Sequence, residues 1–137
     1  MNIKYTNDLS EITEDMLVGF FVGWPNPPSK ATHLEILNNS YCSFVAIDID
    51  RDRVIGFINA ISDGVLTAYI PLLEVLPEYQ GRGIGKELVS LILEELKDLY
   101  MVDICHDKEL IEYYAKFGAH SGYSSIFRNF FSQSGRA

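Results

Sequence analysis

The sequence predicts one mixed α/β domain. Three observations carry this reading: a meander of three strand-like segments in mid-chain, a following strand–helix–strand stretch of the right size for a parallel crossover, and a length of 137 residues, typical of a single domain. A chain this long buries roughly two thirds of its unfolded surface, so it needs no disulfide or metal to hold it together.

The elements follow in order. Residues 9–16 start a helix. Ser10 or Thr13 caps it, and Glu11, Glu14 and Asp15 sit in the first turn, where the helix dipole favours acids. It ends near Gly23, because Pro25, Pro27 and Pro28 cannot continue it. Ser29 caps a second short helix through about Asn38. Residues 41–48 read as a strand, 50–53 as its turn, 54–61 as the next strand and Ser62-Asp63-Gly64 as a hairpin turn. Residues 65–76 form a longer strand. Pro71 inside it removes a ladder donor and marks a bulge, an edge or a point where pairing stops. A glycine-rich loop over 77–85 leads into an amphipathic helix over 83–99, whose Leu88, Leu91, Ile92, Leu96 and Leu99 recur at helical spacing. Residues 101–105 are a strand, 108–117 a helix stopped by Gly118, and 123–131 a last strand.

Charge narrows the function classes. Nineteen acids against eleven bases give a formal −8. Such a surface is a poor match for nucleic acid, which needs clustered Lys and Arg, and it repels anionic membranes. It draws cationic small molecules. Cys42 and Cys105 make no disulfide framework, residues 1–8 hold no apolar signal core, and the apolar stretch 16–24 is far short of the about 20 residues a bilayer needs. The expectation is a reduced, cytoplasmic protein with neither a nucleic-acid nor a membrane partner.

The sharpest feature is Gln80-Gly81-Arg82-Gly83-Ile84-Gly85-Lys86, between a strand and a helix N-terminus. Glycines permit a tight turn with positive φ and expose backbone amides. Those amides and the helix dipole form an anion site, to which Arg82 and Lys86 add charge. A nucleotide-triphosphate loop fails here, because Glu87 follows Lys86 where Ser or Thr is required. A dinucleotide fingerprint fails because its third glycine would fall on Lys86. The pattern [QR]-x-x-G-x-[GA] is met by Gln80, Gly83 and Gly85. It resembles the acetyl-coenzyme A pyrophosphate loop of the GCN5-related N-acetyltransferase (GNAT) superfamily. Residues 73–88 resemble that family's core run, and Asp103-Ile104-Cys105 with Tyr113-Tyr114-Ala115-Lys116-Phe117-Gly118 resemble its next strand and its Tyr-x-x-x-Gly helix end. Ala119-His120 departs from the aromatic residue usual after that glycine.

The resemblance implies a GNAT-like fold: a mixed central sheet of about six strands with flanking helices, in which strands 65–76 and 101–105 splay apart. Residues 1–137 form a single domain, with 1–40 as a helical, acceptor-side region. Acetyl-CoA lies in the gap as co-substrate, with no metal. The main chain of Leu73 and Val75 binds pantetheine, and Gln80, Gly81, Arg82, Gly83, Ile84, Gly85 and Lys86 hold the pyrophosphate. A neutral amine attacks the thioester directly, and amides near Val75 stabilise the developing oxyanion. Tyr114, four residues before Gly118, takes the family's general-acid position. A phenol of pKa about 10 protonates a thiolate of conjugate-acid pKa about 8.5 with little penalty. On helical spacing alone, Tyr113 and Tyr114 also read as core packing. Many members carry a base glutamate six residues before the position of Val75. Here that residue is Tyr69, which can act through an ordered water; Glu74 is either a base or a solvated charge. The implied function is acetyl transfer to a primary amine of a small molecule, with a homodimer as a further expected assembly. The alternatives are a non-catalytic acyl-CoA-binding regulatory module and an acetyltransferase for basic protein tails.

Other constellations give way to simpler readings. Asp48, Asp50 and Asp52 have the first calcium-loop spacings, but Arg53 stands where glycine is required and Asn59 where the bidentate acid would be. In Cys105-His106-Asp107, neighbours at a strand end point different ways and no second ligand cluster exists. His33 and Trp24-Pro25 read as packing and a turn.

Overall fold

The structure is a computed structural model and describes residues 1–136. Five strands form one sheet in sequential order: β1 (Ile3–Thr6), β2 (Cys42–Asp48), β3 (Arg53–Ser62), β4 (Thr67–Val75) and β5 (Met101–Ile104). The first three pairings are antiparallel and β4–β5 is parallel. Three helices flank the sheet, α1 (Lys30–Asn39), α2 (Ile84–Glu95) and α3 (Ile111–Ala115). Local chemistry accounts for the junctions. Ser29 caps α1 by accepting from the Thr32 amide, and Asp63 Oδ1 accepts from the amides of Val65, Leu66 and Thr67 to close the β3–β4 turn.

Two expectations need correction. The helix expected over 9–23 is reduced to a 3₁₀ turn at Glu14–Met16. Gly19, Phe21 and Gly23 take φ of +94°, +62° and +83°, and left-handed residues cannot continue a right-handed helix. The chain begins with a strand instead: β1 pairs Ile3 with Asp48 and Thr6 with Val45. The last strand, expected over 123–131, does not form. Gly118 turns at φ +94°, and the tail is tied back by single contacts, with Ser124 Oγ 3.5 Å from Cys105 Sγ and Gln133 Oε1 accepting from the Asn26 amide at 2.7 Å. The sheet therefore has five strands among the described residues, and β5 lies at its edge.

Each face of the sheet carries its own core. On one face α2 buries Leu88, Val89 and Ile92 against Ile58, Ala60, Ala68 and Ile70. Full burial of each large aliphatic side chain contributes about 1.5–3 kcal/mol. On the other face Met16, Leu17, Phe21 and Leu37 cover Val45, Val54 and Phe57. Gly56 lets α2 sit low on the sheet: a Cβ there would come within 3.2 Å of Leu88 Cδ1 and 3.3 Å of both Ile84 Cγ2 and the Glu74 carbonyl oxygen. That close approach sets the first turn of α2 beside the end of β4.

Candidate active site

β4 is paired on both sides only through its first half. Its ladder to β5 runs from Thr67↔Met101 to Ile70↔Ile104 and stops. The register with β3 shifts at the same place, where Asn59↔Leu72 is followed by Ile61↔Tyr69, so Ile70 and Pro71 together oppose Ala60. Pro71 thus marks both a bulge and the end of pairing. Beyond it, the Leu76 amide donates to the Ile55 carbonyl at 2.9 Å. Antiparallel alternation then turns the main-chain groups of Leu72 and Glu74 toward β3 and those of Leu73 and Val75 toward the open side. The Val75 carbonyl accepts from Gln80 Nε2 at 2.9 Å, which ties the glycine loop to this edge.

The loop meets α2 without a side-chain cap. Gly83 is the N-cap, at φ +82°, and Gly81 stands at φ +78°; a Cβ on either would meet nothing within 4 Å. An uncapped helix leaves its first amides free for a ligand, and an open cradle of this kind fits a pyrophosphate. Arg82, Lys86 and Gln80 are exposed around it. Beneath the loop, Tyr79 is buried and donates its hydroxyl to Asp48 at 2.7 Å, while Arg51 donates to the same carboxylate at 3.0 Å. The Tyr79 hydroxyl, and then Arg51, hold the buried Asp48 carboxyl below the usual carboxylate range. Arg82 stacks its guanidinium 5.5 Å from the Tyr79 ring centroid. The sequence places Asp48 at a strand end and offers it otherwise only as a rejected calcium-loop member; its burial opposite Ile3 of β1 depends on the fold.

The candidate catalytic side chains fall on two faces. Where β4 and β5 part, a cavity of about 210 Å³ is lined by Ile70, Ile104, Val89, Phe117 and Tyr114, with Asp103 as its acidic member. Tyr114 is buried, stacked on His106 at 4.7 Å, and its pKa is raised by burial and then by Tyr113. The Tyr113 hydroxyl reaches the loop, 3.7 Å from where a Gly85 Cβ would be. Tyr69 lies on the opposite face, half-exposed; burial first, then a hydrogen bond with Cys105, raises its pKa. Glu74 shares that face, because the bulge resets the alternation: Ile70, Leu73 and Val75 join the α2-side core and Leu72 the other. Glu74 is not a solvated charge. Its carboxylate accepts from the Phe21 amide at 2.8 Å and the Val22 amide at 3.2 Å, anchoring the left-handed turn at Phe21. His33 is packed among Phe20, Phe21 and Phe57 at centroid distances of 5.3, 4.9 and 4.4 Å. Cys105 is exposed beside Ser124, and no group of three or more His, Cys, Asp or Glu among the described residues could hold a metal ion. Nor is any helix among them long and apolar enough to cross a membrane.

Comparison with known proteins follows the same lines. The acetyltransferase (GNAT) family profile matches residues 9–119. A crystal structure of a Deinococcus radiodurans protein assigned as an acetyltransferase superposes with a TM-score of 0.94 at 40% identity, covering 98% of this chain and 94% of that one. An uncharacterized N-acetyltransferase, ycf52-like, from Prochlorococcus marinus is 35% identical over 117 residues, 82% of this chain. The ycf52 N-acetyltransferase of Gracilaria tenuistipitata is 28% identical over 100 residues, 71% of this chain. The chain spans 63% and 55% of the lengths of those two relatives.

Proposed function

Because the chain belongs to the acetyltransferase (GNAT) family, we propose that it transfers an acetyl group from acetyl-CoA to a primary amine of a small, cationic molecule. The observation that carries this reading is the adjacency of two open main-chain donor sets, the free side of Leu73 and Val75 and the uncapped start of α2 behind Gly83. Acetyl-CoA, when bound, supplies the thioester whose acyl group is transferred. Gly81, Gly83, Ile84 and Gly85 bind its pyrophosphate through their amides, with Gln80, Arg82 and Lys86 around them. Leu73 and Val75 would orient the pantetheine arm, and the Val75 amide, unpaired on the open side, would be the donor available to the carbonyl that gains negative charge.

Tyr114 is the proton donor in this reading. Its raised pKa keeps the phenol protonated through the neutral range, as a proton donor requires. The amine arrives as an ammonium, concentrated by the acidic surface, and must lose a proton before attack. Tyr69 and Glu74 share the face on which that proton leaves. Glu74 already accepts two amides, so Tyr69 with a water is the first relay and Glu74 fixes the loop beside it.

The test is thiol release from acetyl-CoA across cationic, neutral and anionic amines at two ionic strengths. Cationic amines should be preferred, with rate rising toward the amine's own pKa and apparent affinity weakening with salt. Tyr114→Phe should lower turnover roughly 10²–10⁴-fold and leave acetyl-CoA affinity unchanged. A preference for anionic acceptors, or no salt response, overturns the acceptor class. Tight acetyl-CoA binding with no thiol release for any amine would favour the regulatory module.

A further inference from the structure

Asp48 has no part in the chemistry proposed above, yet it is the one buried acid among the described residues. A buried carboxylate is costly unless it is paired and hydrogen-bonded. One that lies a single side chain away from a phosphate loop carries a second cost, because like charges repel. Its partners show what it does there. Asp48 ends β2, and Tyr79 ends the 3₁₀ turn Pro77–Tyr79 immediately before the loop. The Tyr79 hydroxyl donates to Asp48 Oδ2 at 2.7 Å, Arg51 Nη1 donates to the same oxygen at 3.0 Å, and the Arg51 amide donates to Oδ1 at 3.4 Å. The bond to Asp48 also raises the Tyr79 pKa, so the phenol stays a donor and the carboxylate an acceptor.

The hydroxyl bond fixes the far end of a buried ring, and that ring carries Arg82. The guanidinium stands 5.5 Å from the ring centroid, within the about 6 Å over which a cation is attracted to an aromatic face. Charge pairing leaves Arg82 free for a ligand. The β2–β3 turn supplies two arginines. Arg51 takes Asp48, and Arg53 Nη1 lies 3.7 Å from Oε1 of Glu78, the acid of the 3₁₀ turn itself. Each of these acids is thus matched by its own arginine, and Arg82 joins no salt bridge among the described residues. In a chain of nineteen acids and eleven bases, such an unpaired cation is scarce. An arginine already seated on a fixed ring also loses less rotamer freedom when it meets a phosphate.

We propose that Asp48 is a positioning residue for the cofactor: through the Tyr79 hydroxyl it fixes the ring that holds Arg82 ready for a phosphate of acetyl-CoA. The proposal rests on the acetyl-CoA reading of the loop. In this arrangement Arg82 meets the phosphate, and Asp48 and Tyr79 act only through it.

The experiment is a double-mutant cycle on the full chain, read by calorimetric titration with acetyl-CoA. Tyr79→Phe keeps the ring and removes the donor. It should weaken binding about 2- to 5-fold. Arg82→Ala should weaken it about 10-fold or more. The double variant should bind no worse than Arg82→Ala alone, because the hydroxyl acts only through the guanidinium. Asp48→Asn still offers the hydroxyl an acceptor, so it should cost less than Tyr79→Phe. An equal Tyr79→Phe loss in both backgrounds would mean that the hydroxyl merely shapes the loop, and it overturns the proposal. So does parent affinity in Tyr79→Phe or in Arg82→Ala, or a larger loss in Asp48→Asn than in Tyr79→Phe. A parent that binds no acetyl-CoA overturns the reading of the loop itself, whereas a parent that binds it with additive losses overturns this proposal alone.

Discussion

Gly83→Ala separates the fold from the proposed cofactor site in one substitution. Gly83 sits at φ +82°, ψ 6°, and its Cβ would meet no protein atom within 4 Å. The cost to the free protein is therefore backbone strain without a clash, about 1–2 kcal/mol for an L-residue in the left-handed region. In a chain of this length that corresponds to a melting shift of roughly 3–8 °C. The same methyl group would stand in open space at the loop proposed to receive the pyrophosphate, where it would obstruct approach to the amides. Losing even one amide bond to a charged oxygen costs about 1.5–3 kcal/mol, or about 10- to 100-fold in affinity. Gly23→Ala is the matched control, with φ +83° and the same empty surroundings but away from the loop. Calorimetric titration with acetyl-CoA and thermal unfolding, run on both variants, should give similar melting shifts and very different affinities. Equal acetyl-CoA affinity in the two variants would refute the assignment of this loop.

Two further predictions concern the opposite face. Glu74→Gln puts a donor where a second acceptor stood, so one of the Phe21 and Val22 amides loses its bond. Stability should fall by about 1–3 kcal/mol and the amine KM should rise while acetyl-CoA affinity holds; an unchanged melting temperature removes Glu74 as the loop anchor. Burial depresses the pKa of His33 to about 4, and neither ring nitrogen has a partner. The unfolded chain therefore takes up this proton near pH 6.5 and the folded chain only near 4, so stability falls as pH drops through that window and His33 adds no slope above it. His33→Leu should flatten the melting temperature between pH 6.5 and 4 relative to the parent; parallel curves would show that His33 does not titrate on unfolding.

Sequence alone made the central half of the chain legible because its signals are local. Alternation and turn chemistry gave β2, β3 and β4, helical spacing gave α2, and glycines that need positive φ gave the loop. The ends were harder for different reasons. Residues 9–23 have helix-starting chemistry, but Gly19, Phe21 and Gly23 take left-handed backbone, and Phe21 does so with its amide held by Glu74, fifty-three residues away. No local pattern reveals such a contact. β1 has four residues and is fixed by its register with β2, which is also non-local. The segment 123–131 has a strand's composition without a strand's partner in the same chain. At the site, the loop could be read from spacing, whereas Asp48 beneath Tyr79 and the Tyr113 hydroxyl beside Gly85 depend on folding.

The bulge at Pro71 ties the two halves of the site together. In an unbroken strand, residues 69 and 74 would face opposite sides of the sheet. The extra residue brings Glu74 onto the face of Tyr69 and turns Leu73 and Val75 toward α2. At the same point β4 loses β5, which frees the outward main chain of Leu73 and Val75. Proline has no amide to offer a ladder, so its presence favours both outcomes at once. The opening between β4 and β5 and the carboxylate that holds the Phe21 loop thus arise from one irregularity. Restoring regular pairing through position 71 would close the gap and turn Glu74 away from Phe21 together. The two faces of this site are for that reason a single structural unit, set by strand geometry more than by any one side chain.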